Sequence, residues 1–225
     1  MVEWSPLWLT LKLSFLTTLI LFCVAIPLAN WLSKEKTIPR TFVEVIVSMP
    51  LVLPPSVIGF YLLLAFSPAG ALGGMLEKWF DIRLVFSFGG LLIASIIYSL
   101  PFMVHPIQSG LASLPSSLKE AAYSLGKSER QTLFGVLLPN IKPFLFTGVI
   151  LTFAHTIGEF GIVLMIGGNI PGKTRTASIA IYDEVEAFNY PAANRYALTL
   201  LTISFIMLFL LYLYNRRLAR INVIQ

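Results

Sequence analysis

Residues 113–139, SLPSSLKEAAYSLGKSERQTLFGVLLP, form a polar interval between two apolar runs that are each long enough to cross a bilayer. About 20 apolar residues cover the roughly 30 Å of hydrocarbon. Outward from this interval, five stretches qualify: about Leu7–Leu32, Phe42–Phe66, Leu84–Val104, Pro143–Ile166 and Ala197–Tyr214. Lipid offers no partner to a backbone amide, so each stretch is expected to be helical unless the chain closes a barrel. The even run of short alternating segments that a barrel requires is missing. The expectation is an all-α membrane protein of about five transmembrane helices, forming one domain over 1–225.

Composition agrees. Hydrophobic residues make up 56% of the chain and charged residues 12%, with a mean hydropathy of +0.81. Soluble domains carry about 25% charged residues. The first apolar stretch lacks a small-residue cleavage site after a short apolar core, and is expected to be retained as a span. One set of loops holds Lys34, Lys36, Arg40, Lys119, Lys127, Arg130, Lys142, Arg216, Arg217 and Arg220; the other holds only Lys78, Arg83, Lys173, Arg175 and Arg195. The richer side is expected to be cytoplasmic, with the amino terminus outside and the carboxy terminus inside. This asymmetry accounts for the net charge of +5, and no interleaving of aromatic and basic residues points to nucleic acid. Cys23, the only cysteine, excludes an internal disulfide and a Cys/His metal cluster, and reads as a small packing residue in the first span.

Within the polar interval, Leu118, Ala121, Ala122 and Leu125 fall on one face at helical spacing. Pro115 suits a first turn, Ser116 and Ser117 suit a cap, and Gly126 lets the chain leave the helix. Glu120 near the amino end suits the helix dipole. The interval about 113–139 therefore reads as a protruding helical hairpin.

Pro50, Pro54 and Pro55 interrupt the second stretch, as a packing kink or as the wall of a transport path. Glu159 lies deep in the fourth stretch, four residues after His155 on the same helical face. A carboxyl at that depth is costly and should face protein or a wet cavity, as half of a hydrogen-bonded pair, a gate element or a relay. Gly148, Gly158 and Gly161 would permit close helix approach.

Residues 167–174, GGNIPGKT, match G-x-x-x-x-G-K-[ST], the phosphate-binding loop that would announce an ATPase. The run before it is a span rather than a short strand, and charge bias puts it outside, in an extracytoplasmic segment of about 167–195. Asp183 also follows Thr174 too closely for an intervening helix and strand. What survives is a glycine turn with Lys173 and Arg175 before a helix start, suited to an anion, to a delivery protein or simply to entry into a helix. No G-x-S-x-G or H-E-x-x-H is present, so the chain is expected to do no covalent chemistry.

The run Glu120-Ala121-Ala122, three residues, Gly126, nine residues, Val136-Leu137-Leu138-Pro139 resembles the EAA loop of ABC importer membrane subunits, with valine where that family often has isoleucine. Residues 50–61 (PLVLPPSVIGFY), 158–161 (GEFG) and 169–176 (NIPGKTRT) resemble the permease subunit of bacterial molybdate ABC transporters, and sulfate permeases are similar around the last of these. The resemblance implies a type I importer permease in the bacterial cytoplasmic membrane, a homodimer of this chain with two copies of a cytoplasmic ATPase. That ATPase would carry ATP and Mg, and this chain would bind no cofactor or metal. An extracytoplasmic protein would deliver molybdate or tungstate. Glu120, Ala121, Ala122 and Gly126 fall on the family's coupling motif; Pro54, Pro55 and Glu159 are candidates for the pathway or gate, and Lys173 and Arg175 for the outer contact.

Overall fold

A membrane chain whose apolar stretches carry prolines and glycines must choose where to stay helical and where to break. The computed structural model describes residues 3–34 and 37–222, with side chains through residue 214. Lys36 lies outside the described residues, as do the side chains of Arg216, Arg217 and Arg220.

The helices follow in the order α1 (Ser5–Leu32), α2 (Ile38–Val52), α3 (Pro55–Phe66), α4 (Ala71–Phe80), α5 (Phe88–Ser113), α6 (Ser116–Ser124) and α7 (Glu129–Thr132). After a π turn (Leu133–Leu137) come α8 (Leu138–Asn140), α9 (Lys142–Gly158), α10 (Gly161–Gly167), α11 (Ala177–Glu186) and α12 (Tyr190–Asn222). Among the described residues, α1, α5 and the 190–214 part of α12 are each long and apolar enough to span alone, and two bent pairs bring the number of candidate spans to as many as five.

The interruption expected in Phe42–Phe66 is a bend of 114° between α2 and α3 at Pro54 and Pro55, whereas Pro50, expected to break the helix too, lies inside α2. Leu53 and Pro54 are both extended there, since a residue before proline is pushed out of the helical region. Pro143–Ile166 is also two helices: α9 stops at Gly158, Glu159 is extended, and α10 starts at Gly161. Glu159 therefore does not share a helical face with His155. The third stretch runs well past Val104, so that α5 continues through Pro101 and Pro106 to Ser113 and leads through two residues into α6. Cys23 is exposed on the outward side of α1 and is not the packing residue expected.

α1, α5 and α9 pack together as the central bundle. One apolar cluster joins Leu21, Ala25, Met103, Ile107, Leu137 and Ile141 at the α6 end. A second joins Leu13, Leu91, Ala94, Ile162, Ile166 and Ile179 at the α11 end. Between them on the same three helices lies a belt of buried hydroxyls: Ser14, Thr17 and Thr18 from α1, Ser95 and Ser99 from α5, Thr152 and Thr156 from α9. Gly148 lets α9 close on α5, where a methyl group would meet Met103 at 3.1 Å. Gly161 seats α10 on Pro55, which a methyl group would approach to 2.9 Å, whereas a methyl group on Gly158 would meet nothing within 4 Å. Large apolar side chains of α2, α3 and α12, such as Phe42, Val52, Tyr61, Leu201 and Phe205, face outward, as a bilayer requires.

Candidate functional site

At one end of the bundle α6 projects as a short knob. Pro115 occupies its N-cap, and neither Ser116 nor Ser117 caps it. Its far end closes by two bonds, from Gly126 N–H to the Tyr123 carbonyl (2.9 Å) and from Lys127 N–H to the Ala122 carbonyl (3.1 Å). This double closure places Gly126 in the left-handed region at φ 75°. The expected apolar face splits. Ala122 is 4% exposed and Leu118 half-buried, while Ala121 faces out and Leu125 is 78% exposed. Glu120 is exposed beside them, and Tyr123 and Phe134 add further apolar surface. Leu125, Tyr123 and Phe134 thus turn apolar groups outward on an otherwise polar knob.

The knob is braced from both sides. Ser128 and Gln131 form a reciprocal capping box at the start of α7. Lys34, just beyond α1, pairs with Glu129, and its hydrogen bond and charge hold the Glu129 carboxyl below the usual carboxylate range. Nothing in the pattern of residues signals that pair, which joins positions 95 apart.

The two breaks in the spans meet at a second place. Pro55, Ser56, Tyr98, His155, Glu159 and Gly161 line an open cavity of about 590 Å³. Pro54 is exposed next to Pro55 at the bend. Glu159 is 5% exposed; Oε2 accepts from Ser95 Oγ at 2.8 Å, and Oε1 has no partner among the described residues. Its backbone carbonyl accepts from Ser178 Oγ at 2.6 Å.

His155 stacks on Phe102 with ring centroids 3.9 Å apart, and its Nδ1 lies 3.0 Å from Ser99 Oγ. Thr156 gives its single hydroxyl proton to the Thr152 carbonyl, so Ser99 must donate to Thr156 and His155 Nδ1–H to Ser99. Glu159 and His155 thus line one cavity but bond to different serines of α5. The spacing of Ser95 and Ser99, one turn apart in an apolar helix, was the available signal for this polar stripe.

The phosphate-loop lookalike is closed upon itself. Thr174 Oγ1 is buried, donates to the Gly167 carbonyl at 2.7 Å and accepts from Ile170 N–H at 2.9 Å. A helix precedes Gly167 where a nucleotide-binding fold needs a strand. Asp183 is held by Asn169 and ion-paired with Arg175, while Lys173 is exposed. Among the described residues no group of His, Cys, Asp and Glu is placed to hold a metal ion.

Residues 15–220 match the family described as "Binding-protein-dependent transport system inner membrane component". The chain is 44% identical to the "Molybdenum transport system permease protein ModB" of Azotobacter vinelandii, over 91% of this chain and 90% of that protein. It is 36% identical to the "Sulfate transport system permease protein CysT" of Escherichia coli K12, over 86% of this chain and 70% of that one. In fold it resembles a chain of the bacterial alginate ABC transporter solved with a pentasaccharide-bound periplasmic protein. The TM-score is 0.76 at 20% identity, covering 95% of this chain and 78% of that chain.

Proposed function

The chain belongs to the family of binding-protein-dependent transport system inner membrane components, and from that we propose that it is the channel-forming subunit of an ATP-driven importer of molybdate. The observation that carries the substrate is the 44% identity to a molybdenum permease of nearly the same length. The sulfate relative is less similar and extends well beyond this chain.

In this reading two copies of the chain enclose the path, and each offers α6 to its own ATPase subunit. Glu120, Ala121, Ala122 and Gly126 form the docking helix, with Leu125 and Tyr123 as apolar contacts. The α6 end is cytoplasmic, and the amino terminus and α11 lie outside, where a molybdate-binding protein docks and Lys173 is free to meet it; Arg175 is committed to Asp183. ATP and Mg act on the ATPase, and the chain itself makes and breaks no covalent bond. Closure of the ATPase pair draws the two knobs together and rocks the bundles between outward- and inward-open states. The path passes the cavity beside Pro54, Pro55 and Glu159, where the helices are already broken. A path must release what it admits, so selectivity rests mainly with the binding protein.

The test is uptake of radiolabelled molybdate by cells lacking this chain, with and without it restored, at excess sulfate. Restored uptake that resists sulfate is the expected result. Uptake abolished by sulfate would transfer the chain to the sulfate permeases, and no restoration would overturn the substrate altogether.

A further inference from the structure

We infer that Glu159 is a positioning residue for transport, the clamp that holds α11 at one end of the molecule to α5, the helix that leads into α6 at the other. The inference rests on the importer reading.

Three observations converge on it. First, Glu159 sits where a span is broken, and both of its oxygen-bearing groups are used for bonds between elements. Its carboxyl accepts from Ser95 on α5 and its carbonyl from Ser178 on α11. A helix end normally leaves its carbonyls to water or to its own turn; here a hydroxyl from another helix takes one of them. Second, α11 is itself fastened to the bundle, since Thr10 of α1 accepts from the Ala177 amide at 2.8 Å, and Ile179 is fully buried among Leu13, Leu91 and Ile162. Displacement of α11 therefore cannot be absorbed locally. Third, α5 is continuous over 26 residues, a rod of about 39 Å. Only Leu114 and Pro115, both extended, separate it from α6. A push at the docking knob travels along α5 to Ser95, through Glu159, and on to Ser178.

Both clamp bonds use small neutral hydroxyls, which break and re-form without moving charge through the membrane. The second carboxyl oxygen, without a partner among the described residues and beside the cavity, gives Ser95 an alternative acceptor after a small rotation.

The experiment uses the complex with its ATPase in lipid nanodiscs, with Cys23 replaced by serine and a reporter cysteine introduced by Ser56→Cys in the cavity wall. The readout is the change in labelling rate of the reporter when ATP and vanadate trap the closed ATPase pair. Ser95→Ala with Ser178→Ala removes both clamp donors, and with them the contact of Ser178 with the Thr176 hydroxyl. That pair is expected to leave basal ATP hydrolysis intact but to cut the nucleotide-driven change in labelling about tenfold. Glu159→Ala should lose the change too, and Glu159→Gln, whose amide oxygen still accepts from Ser95, should restore it. A full labelling change in the double alanine variant would overturn the clamp. Failure of Glu159→Gln to rescue would overturn it as well, by showing that charge and not bonding matters. The readout needs no substrate, so absence of molybdate uptake would sink the substrate reading and leave this one to be judged separately.

Discussion

Gly126 is the position at which a single backbone torsion closes the α6 knob. Its φ of 75° lies in the left-handed region, and no atom stands within 4 Å of where a Cβ would be built. Gly126→Ala therefore adds no clash and isolates the torsional cost, roughly 1–2 kcal/mol for an L-residue in that region. At 1.4 kcal/mol per factor of ten, the equilibrium constant for correct closure falls roughly 5- to 30-fold. Gly126→Asn should fall less, because asparagine visits this region more readily. Gly126→Pro cannot reach a positive φ and also removes the amide that bonds Tyr123, for a loss of about 3 kcal/mol or more. Molybdate uptake, normalised to the amount of chain in the membrane, should rank Gly above Asn above Ala above Pro. The knob projects from the bundle, so the amount inserted should stay constant across the series. Normal uptake with proline at 126 would refute the assignment of α6 as the docking helix.

Leu125→Asp alters a side chain that is 78% exposed, so the fold should change by no more than about 0.5 kcal/mol; co-purification with the ATPase should nevertheless be lost, and retained co-purification would remove Leu125 from the contact. Gly90→Ala would bring a methyl group to 2.0 Å from the Leu84 carbonyl oxygen, and should cost about 1–3 kcal/mol as lowered thermal stability in detergent. Gly158→Ala meets nothing within 4 Å and serves as its neutral control. With Cys23 replaced by serine, Lys173→Cys should react with a membrane-impermeant maleimide added outside intact cells; labelling only after lysis would invert the orientation.

The spans were legible in the sequence because hydropathy integrates over many residues, and α1 appeared almost where Leu7–Leu32 was expected. The breaks were harder. Pro54 and Pro55 announced a kink, yet proline chemistry says nothing of a 114° turn, which depends on α3 finding α10 through Gly59 and Gly161. The break at Glu159 had no proline to mark it. Apolar residues on both sides read as one helix, and only the tertiary partners Ser95 and Ser178 make leaving the helix tolerable. The α6 helix followed from the periodicity of Leu118, Ala121, Ala122 and Leu125, but that shared apolar face splits, with Ala122 turned inward and Leu125 outward. Helical periodicity gives which residues share a side and does not say which side meets a neighbour.

The belt of hydroxyls across α1, α5 and α9 bears on how the chain is made. Thr10, Ser14, Thr17 and Thr18 give α1 a polar stripe that is buried only once later helices arrive. About 80 residues separate the end of α1 from the end of α5, and about 125 separate it from the end of α9; at roughly 5–20 residues per second, α1 waits some 4–25 s for its neighbours. During that interval its hydroxyls turn back on its own carbonyls or the helix lingers at the insertion machinery, since hydrocarbon offers them nothing. The stripe that later aligns the finished bundle makes the nascent first helix a poor lodger in lipid. Substitutions that delay α5 should therefore appear as proteolysis of new chains before they appear as slow transport.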